Sequence, residues 1–302
     1  MRKETNMSEF KSGFVSIVGR PNVGKSTLLN RIIGQKIAII SDKPQTTRNN
    51  ILGIYHARDL QMVFVDTPGI HRPFTKLGEV MMKSADSAMG DADAVLFLVE
   101  PTGGPGRTEE KIMDDLRRRS VPVILVINKI DKVKKDTLLP IIAAYQQAFD
   151  FADVFMISAR QDDGVTALIS ALAERMPEGP MYFPEDAVTD QPERQVVAEL
   201  VREKLLHLLE QEIPHGLAIE VFSMKEKEKL YDIEVNIYCE RQSHKGIVIG
   251  KNGTVLKEAG SLARADIETM LGKKVLLKIW VKVKEDWRNR EGLLRNFGYT
   301  AE

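Results

Sequence analysis

Short apolar runs alternate with segments of helical periodicity over the first half of the chain. The runs are rich in β-branched residues and fall at 14–18, 51–55, 62–65, 94–99, 123–127 and 154–157. Between them, the spacing of apolar residues predicts helices at about 25–33, 78–90, 107–119, 135–149 and 164–175. Strands that alternate with helices form a mostly parallel sheet with helices on both faces. The pattern therefore predicts an α/β domain with a mostly parallel six-stranded sheet, whose ligands bind at the carboxyl ends of the strands.

The alternation ends near Met176, and a different pattern follows. Prolines and acidic residues predict a linker at 180–191. Beyond it, the predicted order is a helix at 193–211, strands at 217–224 and 230–239, a turn, a helix at 254–271, a strand at 275–284 and a last helix from Asp286. A chain of 302 residues is long enough for two domains. We therefore predict one domain at 12–179 and a smaller α+β domain at 192–288, with a C-terminal helix extending to 302.

The amino-acid composition indicates a cellular compartment for the protein but does not indicate a binding partner. The 43 Lys and Arg residues balance the 43 Asp and Glu residues. Cys239 is the only cysteine, which leaves no internal disulfide and favours a reducing compartment, the cytoplasm. The longest apolar runs have the length of strands and are too short to span a bilayer, and no apolar core of a signal peptide follows the basic start of the chain.

A glycine-rich phosphate-binding motif follows the first predicted strand. Its residues are Gly19, Arg20, Pro21, Asn22, Val23, Gly24, Lys25 and Ser26, which match G-x-x-x-x-G-K-S, and Thr27 comes next in the predicted helix. The backbone N–H groups of such a loop surround phosphate oxygens. Lys25 is predicted to reach the β- and γ-phosphates as a catalytic residue, and the Ser26 hydroxyl to ligate Mg²⁺. A chance glycine turn is the alternative, which the flanking strand and helix disfavour.

Two further segments can complete the magnesium site. The third strand ends in Asp66, Thr67, Pro68 and Gly69, where the Asp66 carboxylate can hold the metal shell and the Gly69 N–H can contact a γ-phosphate. A loop between the first helix and the second strand contains Gln45, Thr46, Thr47 and Arg48. Thr47 is preferred to Thr46 as the ligand because it lies farther from Pro44. The predicted metal ligands are thus Ser26, Thr47 and Asp66, and the predicted catalytic residues are Lys25, Thr47 and Gly69.

The residues after the fifth and sixth strands predict guanine recognition. Asn128, Lys129, Ile130 and Asp131 follow the fifth strand, and Ser158 and Ala159 follow the sixth. An aspartate can accept hydrogen bonds from both N1–H and the N2 amine of guanine, a donor pair that adenine lacks. Asn128 is placed to hold another polar edge of the base, the Lys129 stem can cover its face, and a backbone N–H after Ser158 can reach the guanine oxygen.

Taken together, the motifs resemble those of the Era family of ribosome-assembly GTPases. The residues that carry the resemblance lie at 19–26, 45–48, 66–69, 128–131, 158–159, 183–186, 189–190, 250–253 and 280–284. The resemblance covers nearly the whole chain, from about 13 to 299. It implies a P-loop GTPase domain followed by a KH domain of the second type, with GTP and GDP as ligands and Mg²⁺ as cofactor. It also implies binding to the 3′ region of 16S ribosomal RNA and a role in assembly of the small (30S) subunit.

One position differs from many small GTPases. These carry, directly after the D-x-x-G motif, a glutamine that orients the attacking water, whereas this chain has Ile70, counted here with the GTP-binding residues. Some relatives hold a potassium ion with the P-loop asparagine, here Asn22, although a turn-forming role for Asn22 is equally compatible. No arginine finger is identifiable, and Arg20 and Arg48 are equally compatible with solvated loop charges.

Charge in the second half is segregated. Residues 181–240 contain 6 Lys or Arg and 14 Asp or Glu, whereas residues 241–295 contain 13 and 6. The basic part includes a G-x-x-G turn, which in KH domains lets an RNA backbone approach closely, and the predicted RNA-binding residues are Lys245, Ile249, Gly250, Lys251, Asn252 and Gly253. A solvated charged face is the alternative. For Trp280, packing under the last helix is favoured over stacking on a base.

These observations predict a GTP-dependent switch that binds ribosomal RNA. Two other functions stay open from the sequence. One is a GTPase that drives tRNA modification, although no second catalytic motif is apparent. The other is a membrane-associated regulatory GTPase of the cell cycle or of growth, peripheral on the cytoplasmic face of the membrane, with its basic part on anionic lipid.

Overall fold

The structure is a computed structural model that describes residues 10–41, 43, 46–68, 75–81, 83, 92–210 and 213–299. The chain forms two compact units. The first takes its residues from 1–37, 50–71 and 84–190, and the second from 38–49, 72–83 and 191–302. Two short segments of the N-terminal half, including the loop with Thr47, therefore belong to the second unit.

A six-stranded sheet is the centre of the first unit as far as the structure describes it. The strands are β1 (Lys11–Gly19), β2 (Ile51–Ala57), β3 (Leu60–Asp66), β4 (Ala94–Val99), β5 (Val123–Ile127) and β6 (Asp153–Met156), in the order β2-β3-β1-β4-β5-β6. Only the β2–β3 pair is antiparallel among them. β4 and β5 are buried along their whole length, as expected for parallel strands covered on both faces. The predicted fold class is confirmed.

Helices follow the strands as the periodicity predicts. They are α1 (Lys25–Ile33), α2 (Arg107–Arg117), α3 (Leu138–Ala148) and α4 (Val165–Arg175). Each helix packs on the sheet through an apolar face. In α2, for example, Ile112, Met113 and Leu116 are buried against the sheet, and charged residues are exposed on the other side. The helix predicted at 78–90 is present at 76–81, in the second unit, and residues 82 and 84–91 lie outside the described residues.

The predicted linker packs along the first unit. Gln61 of β3 is fully buried; its amide donates to the Phe183 carbonyl at 2.8 Å and its oxygen accepts from the Tyr182 N–H at 2.8 Å. Farther along, the Ile54 N–H of β2 donates to the Val188 carbonyl at 3.0 Å. These hydrogen bonds satisfy polar groups of the edge strand β2 and of its neighbour β3, so the segment up to 190 is an ordered part of the first unit.

A three-stranded sheet covered by helices is the centre of the second unit. The elements are α5 (Glu193–Leu208), β7 (Ala218–Glu226), β8 (Leu230–Cys239), α6 (Gln242–Ile249), α7 (Thr254–Leu271), β9 (Lys274–Val283) and α8 (Glu291–Asn296). β8 is central, antiparallel to β7 and parallel to β9. Alternate residues of β8 (Ile233, Val235, Ile237 and Cys239) are fully buried in one apolar core.

The structure corrects the prediction at two places in this unit. The turn expected after β8 contains the helix α6, and the last helix does not begin at Asp286. Asp286 has left-handed backbone geometry (φ 51°), which interrupts the helical path, and a single turn at Trp287–Asn289 precedes α8. No helix within the described residues has both the length and the apolar composition needed to cross a membrane.

Candidate functional site

The phosphate-binding loop connects β1 to α1 and is shaped by its glycines. Gly24 directly precedes α1 and has φ 102°, and a Cβ atom there would lie 2.3 Å from the Asn128 amide nitrogen. Only glycine therefore fits this position. The Lys25 ammonium is buried inside the loop, where it donates to the carbonyls of Gly19 at 3.3 Å and Arg20 at 3.2 Å. Burial lowers the pKa of Lys25, an effect that nearby Asp66 opposes.

Ser26 and Asp66 form an oxygen-rich pair beside Lys25. The Ser26 hydroxyl donates to the Asp66 carboxylate at 2.6 Å, and Asp66 is fully buried. The Thr67 hydroxyl donates to the Ile17 carbonyl at 2.9 Å, which fixes the chain where β3 ends. Hard oxygen donors of this kind fit Mg²⁺, which is usually bound by one or two protein oxygens together with phosphate oxygens and water. Gly69 and Ile70 lie outside the described residues.

Asn128, in the loop after β5, forms hydrogen bonds with two neighbouring loops. Its side chain is buried, and its amide donates to the Val23 carbonyl at 2.9 Å while its oxygen accepts the Ala159 N–H at 3.0 Å. One side chain thus joins the phosphate loop to the turn after β6. Asp131 is exposed, and its carboxylate accepts a hydrogen bond from the Ser158 hydroxyl at 2.6 Å. The acceptor predicted to recognise guanine is oriented and open to solvent.

Charged residues around the phosphate loop are paired. The Lys129 ammonium donates to the Asn22 carbonyl at 2.6 Å and forms an ion pair with Glu100. Arg20 forms an ion pair with the buried carboxylate of Glu109. Arg20 is thus an ion-paired loop cation whose side chain stays 37% exposed. Asn22 adopts φ 67°, the left-handed geometry that asparagine tolerates well, which agrees with its turn-forming role.

Thr47 and Arg48 belong to the second unit. Thr47 is 7% exposed and Arg48 only 2% exposed. The Arg48 guanidinium donates to the carbonyls of Leu217 at 2.5 Å and His215 at 2.9 Å. Arg48 is thus an anchored internal cation rather than a solvated loop charge, because carbonyl groups remote in sequence surround it.

The G-x-x-G turn connects α6 to α7 with left-handed geometry. Gly250 has φ 76°, Asn252 has φ 54° and Gly253 has φ 77°. A Cβ atom on Gly250 would lie 2.6 Å from the Val255 side chain and 2.9 Å from its backbone nitrogen, whereas one on Gly253 would meet nothing within 4 Å. Gly250 is therefore needed by the fold, and Gly253 leaves an open approach. Lys251 and Asn252 project into solvent.

A groove runs from this turn along α7. Its cavity volume is about 340 Å³, and it is lined by Gly253, Leu256, Lys257, Gly260, Ser261, Arg264, Leu277 and Ile279. The sequence prediction misses Lys257, Gly260 and Arg264. They follow Gly253 at helical spacings of four, three and four residues, so the periodicity of α7 already places them on one face. Lys245 and Ile249 of α6 are half-buried, and Ile249 packs on the core.

Trp280 lies on the outer face of the three-stranded sheet. It is 42% exposed and contacts Phe222, which is 45% exposed, with ring centroids 5.6 Å apart. The residue that packs with the last helix is Trp287, which is fully buried in a second apolar cluster with Leu294. The favoured prediction that Trp280 packs under that helix is therefore wrong.

Comparison with known proteins gives consistent matches along the chain. A family described as "50S ribosome-binding GTPase" matches residues 14–129, and one described as "KH domain" matches residues 212–288. GTPase Era from Alkaliphilus oremlandii is 54% identical over 292 residues, covering 96% of this chain and 99% of that protein. GTPase Era from Clostridioides difficile is 53% identical over 293 residues with the same coverage.

Two solved structures match both units. A crystal structure of Era in complex with MgGDPNP and nucleotides 1506–1542 of 16S ribosomal RNA has a TM-score of 0.93 and 39% identity, covering 96% of this chain and 99% of that one. A single-residue variant of Aquifex aeolicus Era bound to GDP·AlF4⁻ also has a TM-score of 0.93 and 39% identity, covering 96% of this chain and 100% of that one.

Proposed function

This chain belongs to the Era family of GTPases, and from that premise we propose that it uses GTP hydrolysis to control RNA binding during assembly of the small ribosomal subunit. The GTPase activity follows from the family itself. We further propose the residues that hold the nucleotide and the metal, and the surface of the second unit that binds RNA.

One observation carries the nucleotide assignment. Asn128 hydrogen-bonds both the phosphate loop, at Val23, and the turn after β6, at Ala159. The phosphate end and the base end of a nucleotide site are therefore built as one rigid piece. Asp131 beside it supplies an acceptor for the two guanine donors, while adenine would leave that carboxylate unpaired.

The residues at the phosphate end suit hydrolysis of a phosphoanhydride. Ser26 and Asp66 are the residues that would hold Mg²⁺, which would neutralise negative charge on the phosphates. Thr47 stays a predicted metal ligand. Lys25 exchanges its two loop carbonyls for phosphate oxygens and stabilises charge on them as the bond to the γ-phosphorus breaks. Water attacks that phosphorus and the products are GDP and phosphate. The Gly69 N–H is assigned to the γ-phosphate.

The groove along α7 is the proposed RNA site. It combines a turn that lets a backbone approach, two cations (Lys257 and Arg264) and apolar walls against which bases can lie. The related Era structure contains nucleotides 1506–1542 of 16S ribosomal RNA, and we extend that RNA, and with it the 30S subunit, to this chain. Of the two anionic partners considered, RNA fits better than a membrane surface, because a concave groove admits a nucleotide strand rather than a bilayer plane. This partner places the protein in the cytoplasm.

The domain boundaries and the potassium site stay predictions. We assign a G domain to 12–179, a linker to 180–191 and a KH type 2-like domain to 192–288 with the C-terminal segment after it. Potassium at Asn22 would compensate for Ile70, which cannot orient water. Hydrolysis should then be faster in potassium than in sodium at matched ionic strength, and equal rates would remove the potassium assignment.

The function is tested with one preparation and two ligands. Purified protein should hydrolyse GTP in preference to ATP and should bind a single-stranded fragment of the 16S 3′ region more tightly than the same bases in scrambled order. Hydrolysis without sequence-dependent RNA binding would leave the GTPase and remove the proposed RNA partner.

A further inference from the structure

Glu109 is a buried carboxylate that the nucleotide site described above does not use. It lies in the first turn of α2, is only 4% exposed, and forms an ion pair with Arg20 of the phosphate loop. Tyr145 of α3 is buried nearby, and burial together with the charge of Glu109 raises the pKa of its hydroxyl. A charge held away from water destabilises a protein unless a partner compensates it, and Arg20 is such a partner.

A second carboxylate extends this pairing to the loop after β5. Glu100 directly follows β4 and forms an ion pair with Lys129, and its carboxylate also lies 3.9 Å from the guanidinium of Arg20. The Lys129 ammonium donates in addition to the Asn22 carbonyl at 2.6 Å. Four side chains of the first unit thus form an ion-pair chain of alternating sign, in the order Glu109, Arg20, Glu100 and Lys129.

The ion-pair chain is a second connection between the phosphate loop and the loop after β5. Asn128 forms the first, through its hydrogen bond to the Val23 carbonyl. The ion-pair chain holds two further positions of the phosphate loop, Arg20 by its side chain and Asn22 by its carbonyl. A loop that is fixed at three residues loses less conformational freedom when it closes around phosphates, and this favours tight binding of a nucleotide.

We propose that Glu109 is a positioning residue for nucleotide binding, which slows the release of GDP by holding Arg20 and with it the phosphate loop. The inference rests on the proposed nucleotide site. A carboxylate repels phosphate, so Glu109 can favour a bound nucleotide only through the cation that it faces, and that cation is Arg20. Glu109 itself touches neither phosphate nor base in this account.

Release of a fluorescent GDP analogue from single variants tests the effect. Glu109→Gln keeps the size of the side chain and removes its charge, so it should accelerate GDP release by about tenfold. Hydrolysis of GTP that is already bound, measured in a single turnover, should stay within about twofold, because bound phosphates then hold the loop themselves. Glu110→Gln is the matched control and should release GDP as the unchanged protein does. Glu110 lies in the same first turn of α2 but is exposed, and it forms no ion pair with any of the described residues.

A double-variant cycle shows whether Glu109 acts through Arg20. Arg20→Gln should also accelerate GDP release, and the double variant should release GDP no faster than the faster of the two single variants. Arg20→Gln leaves a buried carboxylate unpaired, so it should lower the midpoint of thermal unfolding more than Glu109→Gln does, and the double variant should recover most of that loss. Effects on GDP release that multiply would overturn the inference.

Two further results would contradict the role of Glu109. Slower GDP release from Glu109→Gln would mean that Arg20, once freed, binds the phosphates and that Glu109 restrains it from doing so. Arg20→Lys keeps a cation beside Glu109 and loses the fork of the guanidinium, so it should accelerate GDP release by a smaller factor even if Glu109→Gln folds poorly. Unchanged release from Arg20→Lys and Arg20→Gln would also overturn the inference.

The outcomes distinguish this inference from the nucleotide site on which it rests. A Lys25→Ala variant that loses hydrolysis, together with unchanged GDP release from the Glu109 and Arg20 variants, would retain the site and overturn the role of Glu109. A fully active Lys25→Ala variant would remove the phosphate-loop assignment and the inference with it.

Discussion

Asp131 gives the sharpest test of base recognition by a single side chain. Its carboxylate is oriented by the Ser158 hydroxyl at 2.6 Å and is otherwise open to a ligand. In Asp131→Asn an amide donor would face the N2 amine of guanine, whereas the oxygen of xanthine can accept that donor. We expect GDP affinity to fall by about 100-fold and xanthosine diphosphate affinity to rise. Competition binding with the two nucleotides measures this, and an unchanged preference would show that Asp131 does not recognise the base.

Lys25 separates activity from stability. The ammonium is buried against two carbonyls and forms no direct ion pair with any of the described residues, so its removal relieves a desolvated charge. Lys25→Ala should therefore abolish most hydrolysis, by about 100-fold or more, while the midpoint of thermal unfolding stays the same or rises. Single-turnover hydrolysis and a thermal scan of the same sample are the measurements. A fully active variant would remove the phosphate-loop assignment.

Single residues also show where prediction from sequence stops. The motif residues can be found because their chemistry depends on local spacing after a strand. Arg48 is compatible with an ordinary loop charge in the sequence, because the carbonyls of Leu217 and His215 that enclose it are remote in the chain. The role of Gln61 is equally hard to predict, since nothing in the pattern of β3 indicates that this buried amide binds the segment at 182–183.

Among the elements, α7 and the turn before it offer a matched pair of glycines. Gly253 precedes α7 and Gly272 follows it; both have left-handed geometry (φ 77° and 64°), and neither would bring a Cβ atom within 4 Å of another group. Aspartate tolerates that geometry, so both substitutions should fold. Gly253→Asp should weaken RNA binding by about tenfold or more by placing a negative charge against phosphate, whereas Gly272→Asp should not.

Titration of a single-stranded 16S fragment against both variants checks this expectation, with GDP affinity measured in parallel. Gly250 is unsuitable for the experiment, because a side chain there would clash with the backbone of Val255 and confuse folding with binding. Equal RNA affinity in the Gly253 and Gly272 variants would mean that the turn does not face the RNA.

The elements that sequence periodicity predicts well are those with a continuous apolar pattern. β4 and β5 are apolar throughout, and their predicted bounds agree with the structure to the residue. The pattern does not indicate α6, because its first half (Gln242, Ser243, His244 and Lys245) is polar and Gly246, a poor helix former, lies at its centre. Its helical state is supported by contact with other elements, since Val248 is fully buried in the core of the second unit.

For the whole molecule, the account divides the work between two units that share one chain. We propose that the first unit holds the nucleotide and the second binds RNA; residues 38–49, which include Thr47, belong to the second unit. The alternation of strands and helices, followed by a change of order after the prolines, is enough to predict two folds. It cannot predict that residues 38–49 join the second unit, because that depends on contacts with residues remote in the chain, such as those of Arg48 with the carbonyls of Leu217 and His215.

The central claim is that the groove of the second unit binds the 3′ region of 16S ribosomal RNA. The most direct measurement is ultraviolet crosslinking of the full chain, loaded with a non-hydrolysable GTP analogue, to total ribosomal RNA, followed by sequencing of the RNA and identification of the crosslinked peptide. We predict crosslinks between the 3′ end of 16S RNA and the peptide that contains Lys251 and Lys257. Crosslinks confined to other RNA, or to peptides outside α6, α7 and β9, would contradict the account.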